Sequence, residues 1–194
     1  WKNNLFYGSG LYTYSNGDTY DGEWIDGTYN GRGKFSSKNG EEYVGMWLNG
    51  KKEGQGILSD LKNGKYVGQW IADLRNGNGS QTYLSGDKYD GEWLENKKHG
   101  LGIMTYVNGN EYDGSWQKGL RHGIGRYTYI NGDIYSGNWQ NSQKNGKGTM
   151  DYQNGDKYDG DWKDNRIQGS GVFYFLDGSS YDGEWINGKR NGRG

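Results

Sequence analysis

The chain has 194 residues, 24% of them charged, a formal net charge of -1 and a mean hydropathy of -1.17, so bulk electrostatics points to no nucleic-acid partner. It has no cysteine, which excludes disulfides and thiolate metal sites, and no apolar run near the ~20 residues a membrane-spanning helix needs. Its 38 glycines suggest disorder, but 9 Trp, 18 Tyr and 4 Phe are rings that bury roughly 150–250 Å² each, so the apolar content is adequate and concentrated in rings.

The elements recur along the chain. Trp1 and Gly8-x-Gly10 open a truncated repeat, and the first full motif follows at Tyr20. Tyrosines then stand at Tyr20, Tyr43, Tyr66, Tyr89, Tyr112, Tyr135, Tyr158 and Tyr181, each 23 residues after the last. A glycine follows each by two residues and a tryptophan by four; seven residues after each Trp comes Gly-x-Gly, ending at Gly192/Gly194. A constant period means that every repeat packs on its neighbours in the same way. The chain begins and ends inside a repeat, so its ends are expected to be cuts; no signal peptide is recognisable.

Within a repeat no segment is long enough, or free enough of glycine, for a helix. "GLGIMTYVNGNEYDGSW" alternates as a strand does. Met104 and Tyr106 point one way and Thr105 the other; Tyr112, Gly114 and Trp116 share a face opposite Asp113 and Ser115. Asn108-Gly109 is a hairpin signal. A two-residue turn would pair Thr105 with Tyr112 and mix polar with aromatic, so the parity favours an odd loop, a type I turn with a glycine bulge. The second bend, between Trp and Gly-x-Gly, has Gly27, Gly50, Asp73, Asn96, Gly119, Ser142, Asn165 or Gly188 as its eighth position, and all but Ser142 tolerate left-handed backbone. One layer of hairpins has no second layer to cover it. Its rings can lie flat only over residues without side chains, which accounts for the glycines beside them.

The pattern Tyr-x-Gly-x-Trp-x-x-Gly-x-x-x-Gly-x-Gly resembles the MORN repeat family. The resemblance covers the whole chain as one array, 1–194, with partial repeats 1–19 and 181–194 and complete repeats from 20 to 180. It implies an all-β, single-layer, elongated solenoid of β-hairpins, twisted and rolled, of about 75–85 Å at ~9.5 Å per repeat. The repeat opening at Tyr43 departs from the pattern: its turn Asn63-Gly64 is one residue late, and Leu58 and Asp60 replace the rings.

Catalytic and metal chemistry finds no support in the residues. His99 and His122 occupy the same position in adjacent repeats, about 9.5 Å apart, without a carboxylate or thiol to complete a ligand set; Asn30, Asn76, Asn145 and Asn191 stand there elsewhere, which reads as a turn position. The Gly-x-Gly pairs lack the further residues of a phosphate-binding loop. The acid pairs Asp21/Glu23, Asp90/Glu92, Asp159/Asp161 and Asp182/Glu184 share a strand face and read either as calcium ligands or as a solvated outer face. No catalytic residue, cofactor or metal site is expected.

Three candidate sites remain. The first is an aromatic groove of Trp24, Tyr43, Trp47, Tyr66, Trp70, Tyr89, Trp93, Tyr112, Trp116, Tyr135, Trp139, Tyr158 and Trp162. The second is a basic edge of Lys51, Lys52, Arg75, Lys97, Lys98 and Arg121, continued by Lys144, Arg166, Lys189 and Arg190, which would meet an anionic phospholipid surface at about 1 kcal/mol per cation or serve only solubility. The third is a patch of Val44, Met46, Leu48, Val67, Ile71 and Leu94 on the face opposite the rings. That face is apolar at Ile25, Leu48, Ile71 and Leu94 and polar at Gln117, Gln140 and Lys163; it reads as a docking surface, or as side chains that the sheet covers with its own turns. The family resemblance implies a non-catalytic protein-interaction scaffold, cytoplasmic at the cytoskeleton or membrane periphery, at membrane–cytoskeleton junctions or in cilia. Its partners would be proteins bound by the groove or the patch, with a homodimer as a further case. Membrane attachment, or service as a regulatory arm of an enzyme whose catalytic domain lies outside this chain, are the alternatives.

Overall fold

The computed structural model describes residues 2–192, so Trp1 and Gly194 of the end repeats lie outside the described residues. Seventeen strands and no helix are present among them. The chain divides into two compact units, 1–97 and 98–194. The first unit carries β1 (Gly8–Thr13), β2 (Thr19–Ile25), β3 (Thr28–Ser36), β4 (Glu42–Leu48), β5 (Lys51–Asp60), β6 (Gly64–Ile71), β7 (Leu74–Thr82) and β8 (Lys88–Leu94). β9 (Lys97–Thr105) begins at the boundary. The second unit continues with β10 (Glu111–Gln117), β11 (Leu120–Thr128), β12 (Ile134–Gln140), β13 (Gln143–Asp151), β14 (Lys157–Lys163), β15 (Arg166–Tyr174), β16 (Ser180–Ile186) and β17 (Lys189–Asn191). Within each unit every strand pairs antiparallel with the next in sequence. The fold is an all-β array of repeated hairpins.

The odd loop is present. Met104 faces Tyr112 and Thr105 faces Glu111. Tyr106 N donates to Asn110 O, Gly109 N donates back to Tyr106 O, and Gly109 has φ +88°. That is the three-residue loop with a left-handed glycine, and it sets the rings of both strands on one face. At Asn63-Gly64 the loop changes: Asp60 pairs with Gly64, and the Asp60 carboxylate accepts the amides of Lys62 and Asn63 in place of a backbone carbonyl.

The second bend is a two-residue turn followed by a bulge. Gln117 faces Leu120, leaving Lys118 (φ +52°) and Gly119 (φ +88°) as a turn with two left-handed residues, the type I′ geometry that matches strand twist. The eighth position is left-handed throughout, and Ser142 at φ +66° follows suit although its residue type argued otherwise. The seventh position is left-handed as well, even where it is Ala72, Glu95 or Lys118. After the turn the register slips between Gly114↔Gly125 and Trp116↔Arg121, a bulge made by the first glycine of Gly-x-Gly, with Gly123 at φ +67°.

Outer-face acids are used by these bulges. Glu23 Oε1 accepts the amide of Arg32 and Asp161 Oδ2 that of Ser170. Loop side chains tie neighbouring repeats in the same manner: Asn110 Oδ1 accepts Ile130 N, Asp133 Oδ1 accepts Gln153 N and Asp156 Oδ1 accepts Leu176 N. These bonds satisfy amides that the loops would otherwise leave open.

Candidate partner-binding faces

The repeated rings form a closed layer. The motif tyrosine lies flat over the paired glycines of its hairpin: a Cβ on Gly125 would run into the Tyr112 ring, and one on Gly114 into the Gly125 backbone and the Tyr112 hydroxyl. Its hydroxyl donates to the carbonyl three residues on, as Tyr112 does to Ser115 at 2.8 Å. Each Trp Nε1 donates to the second glycine of the preceding Gly-x-Gly, as Trp139 does to Gly125 at 3.0 Å. Within a unit a tyrosine meets its own and the next tryptophan edge-on, as Tyr135 does with Trp139 and with Trp162, both at 5.2 Å. The result is full burial: Tyr43, Tyr66, Tyr89, Tyr112, Tyr135 and Tyr158 are at most 1% exposed, and Trp24, Trp47, Trp70, Trp93, Trp116, Trp139 and Trp162 at most 6%. These thirteen residues are the core and present almost no surface to a partner. Trp185 is equally buried at 5%, although it belongs to the partial repeat 181–194.

Burial also keeps these phenols neutral. It pushes the Tyr66 hydroxyl up to about 12, with Arg75 acting in the opposite sense. Tyr158 rises likewise to about 12, by burial and then the nearby Asp161.

The basic residues fall on two faces. Strand alternation sends neighbours to opposite sides, so Lys51 and Lys97 are exposed on the face away from the rings, while Lys52, Arg75, Lys98 and Arg121 turn onto the ring layer. Arg75 lies 4.4 Å from the Trp93 ring centre, Lys98 4.3 Å from Trp116 and Arg121 4.4 Å from Trp139; Lys52 is 5.4 Å from Trp70. Such cation–ring contacts contribute about 0.5–2 kcal/mol. Tyr29 fills the same slot by stacking on Tyr20 at 3.7 Å, and Ile167 fills it with a buried aliphatic chain. The expected basic row is therefore not one continuous surface: it splits because consecutive cations such as Lys51 and Lys52 sit on opposite faces of one strand.

A second set of rings on the aromatic face is half-exposed. In the second unit these are Tyr106, Tyr127, Tyr129, Tyr152, Phe173 and Phe175. They form contacting pairs: Tyr127–Tyr129 at 4.5 Å, Tyr152–Phe173 at 5.8 Å and Phe173–Phe175 at 4.8 Å. In the first unit Tyr12, Tyr14, Phe35 and Tyr83 are half-exposed rings at the equivalent positions, with Tyr14 and Tyr29 joining hydroxyls, but Ser37, Asp60, Leu58 and Gln81 take the other four. Gln81 is buried there and fully bonded, to Arg75, Asn63 and Thr82.

The comparisons agree with this geometry. The family model for the MORN repeat matches residues 1–19, 20–42, 43–60, 66–88, 89–111, 112–134, 135–157, 158–180 and 181–194. The chain belongs to the MORN repeat family. The third MORN match ends at Asp60, where the irregular loop begins. No curated protein sequence matches at a significant level. Among solved structures, the fold is similar to the TCP10 domain of Danio rerio CPAP in complex with a peptide of Danio rerio STIL, with TM-score 0.53 and 11% identity over 90% of this chain and 77% of that one. A second similarity is to the SAS-4 (dCPAP) TCP domain of Drosophila melanogaster in complex with a proline-rich motif of Ana2 (dSTIL), with TM-score 0.46 and 12% identity over 90% and 88%.

On the opposite face of the MORN array, the patch side chains are exposed rather than covered: Leu48 is 53% and Ile71 56% exposed, with Val44, Met46, Val67 and Leu94 also open. Ile57, missed in the sequence, joins them by pairing with both Val44 and Val67, and Leu74 pairs with Ile71. Strand parity alone would have placed both residues there. The half-exposed rings of the second unit went unnamed for a different reason. In sequence they look like the core rings, and only packing separates the two sets.

Proposed function

We propose that this MORN array is a non-catalytic protein-interaction scaffold that holds an extended segment of a partner protein along the aromatic face of its second unit. The observation that carries the reading is the half-exposed ring set led by Tyr129 and Tyr152. These rings are held by their neighbours and backed by a filled core, so a partner can bury them at little entropic cost. Aromatic side chains with that property dominate binding energetics. Extended and proline-rich segments dock on such surfaces because their own backbone is already ordered. Work at the cytoskeleton or membrane periphery is the setting that the family suggests. The test is retention of cellular proteins by the immobilised chain, compared with a Tyr129→Asp, Tyr152→Asp double variant of unchanged melting temperature. Identical retention by both would sink the reading.

The exposed ladder Val44, Ile57 and Val67 favours a second reading, self-association through the opposite face. Contiguous exposed apolar surface usually marks an interface.

A further inference from the structure

The cations that cap the rings are treated differently in the two units. In the first unit each has acceptors of its own. Lys52 Nζ lies 3.6 Å from the Glu41 carboxylate. Arg75 donates from Nη1 to the buried Gln81 amide at 2.9 Å and from Nη2 to Asn96 O at 3.2 Å. In the second unit the acceptor equivalent to Gln81 is gone beside Arg121 and Lys144. Tyr127 follows Arg121 where Gln81 follows Arg75, and Met150 follows Lys144; a thioether is a poor acceptor. Arg121 keeps one side-chain bond, from Nη2 to Ser142 O. Lys144, 8% exposed, keeps one bond from Nζ to the Tyr129 hydroxyl, at 3.4 Å. Among the described residues neither cation has a carboxylate within ion-pair distance. Asp133 is near enough to act on Lys144, but its two oxygens accept from Gln153 N and Asn131 Nδ2.

The fold does not demand cations here. Ile167 fills the same slot one repeat after Lys144 with an aliphatic side chain. Burial of an unpaired ammonium is costly, and it pushes the Lys144 amine down to about 8, with Arg121 adding to the effect. A buried ammonium and a half-buried guanidinium, each with one side-chain hydrogen bond and no carboxylate at ion-pair distance among the described residues, are framed by half-exposed rings and form a surface complementary to acids.

We infer that Arg121, and Lys144 acting through the Tyr129 hydroxyl, receive two carboxylates of an extended protein segment. Lys144 donates to the Tyr129 oxygen, which leaves the phenol proton to donate outward. Burial raises the Tyr129 hydroxyl, with Tyr127 adding to the effect, so it remains a neutral donor. Arg121 and Lys144 stand at equivalent positions of adjacent repeats, about 9.5 Å apart by two strand spacings. A segment in the polyproline II conformation rises about 3.1 Å per residue with three residues per turn, so side chains three residues apart share a face and match that separation. The partner motif is therefore acidic-x-x-acidic, with apolar residues or prolines between the acids lying on Tyr127, Tyr129 and Tyr152. This rests on the docking reading above and names its chemistry.

Selection of a random-peptide library on the immobilised full chain tests both. Enriched peptides should carry two acids three residues apart. Changing either acid to its amide, or making Lys144→Met or Arg121→Gln in a chain that still melts normally, should weaken binding at least about tenfold. Arg75→Gln in the first unit should leave it unchanged. Enriched peptides without acids, lost on Tyr129→Asp but indifferent to Lys144→Met and Arg121→Gln, would overturn the carboxylate site and leave the docking reading standing. Failure to enrich any peptide over the bare support would overturn both.

Discussion

The Tyr112 ring occupies the space that a side chain on Gly125 would fill, so the two residues act as one packing element. Gly125 has no left-handed backbone to protect, and its role is purely steric. Gly125→Ala should therefore cost about 3 kcal/mol by overpacking. Gly119, left-handed at φ +88° with nothing near its missing Cβ, should lose only about 1 kcal/mol as alanine, from backbone strain. Urea unfolding of the two variants separates these costs; equal losses would refute the packing argument.

Trp139 is held by burial and by its bond to Gly125 O. Its replacement by Ala should cost about 3–5 kcal/mol. Trp185, packed against Tyr158 and Phe173 and bonded to Gly171 O, is nearly as enclosed. Trp185→Ala should thus lose more than a fraying terminal residue would. A negligible effect on the melting temperature would show that the last repeat is not held.

Lys144 gives stability a pH dependence of known sign. Its folded value of about 8 lies below the ordinary lysine value of 10.5, so between these the unfolded chain binds more protons and stability rises with pH. Lys144→Met lacks the burial penalty of the charge and should be more stable than the parent near pH 7, by up to about 3 kcal/mol. The advantage should shrink as pH climbs from 8 towards 10. A difference between parent and variant that is constant across this range would refute the assignment.

The buried tyrosines act with the opposite sign. Tyr66 and Tyr158 are raised to about 12, above the ordinary phenol value, so the unfolded chain gives up protons first. Stability should be full below pH 10 and fall as pH rises from 10 through 12. Ultraviolet titration should show these phenols ionising together with loss of tryptophan order; smooth titration of all 18 tyrosines near pH 10 in a folded chain would contradict their burial.

Leu48 and Ile71 project into solvent. Leu48→Asp with Ile71→Asp should leave the melting temperature within a few degrees of the parent. If the outer face joins two copies, the double variant should sediment as a monomer at concentrations where the parent associates. Early melting would show these side chains to be core.

The amino-acid sequence by itself determined the repeat and the hairpin. A period of 23 without insertion, rings alternating with polar residues and Asn-Gly between strands leave one consistent parity, and the loop at Gly109 and the ring over Gly125 follow from it. These are local or nearest-neighbour consequences, so they are readable in the chain. Tertiary structure decided which rings are surface. Tyr112 and Tyr129 are the same residue type, yet one lies over glycines and the other beside Lys144, half in solvent. It also decided the fate of the cations: Lys51 and Lys52 are adjacent in sequence, but the pleat puts one on each face. Whether a charge meets a side-chain acceptor depends on the residue six positions on along the same strand, which the twist of the strand brings alongside: Arg75 meets Gln81 on β7, whereas Arg121 meets Tyr127 on β11.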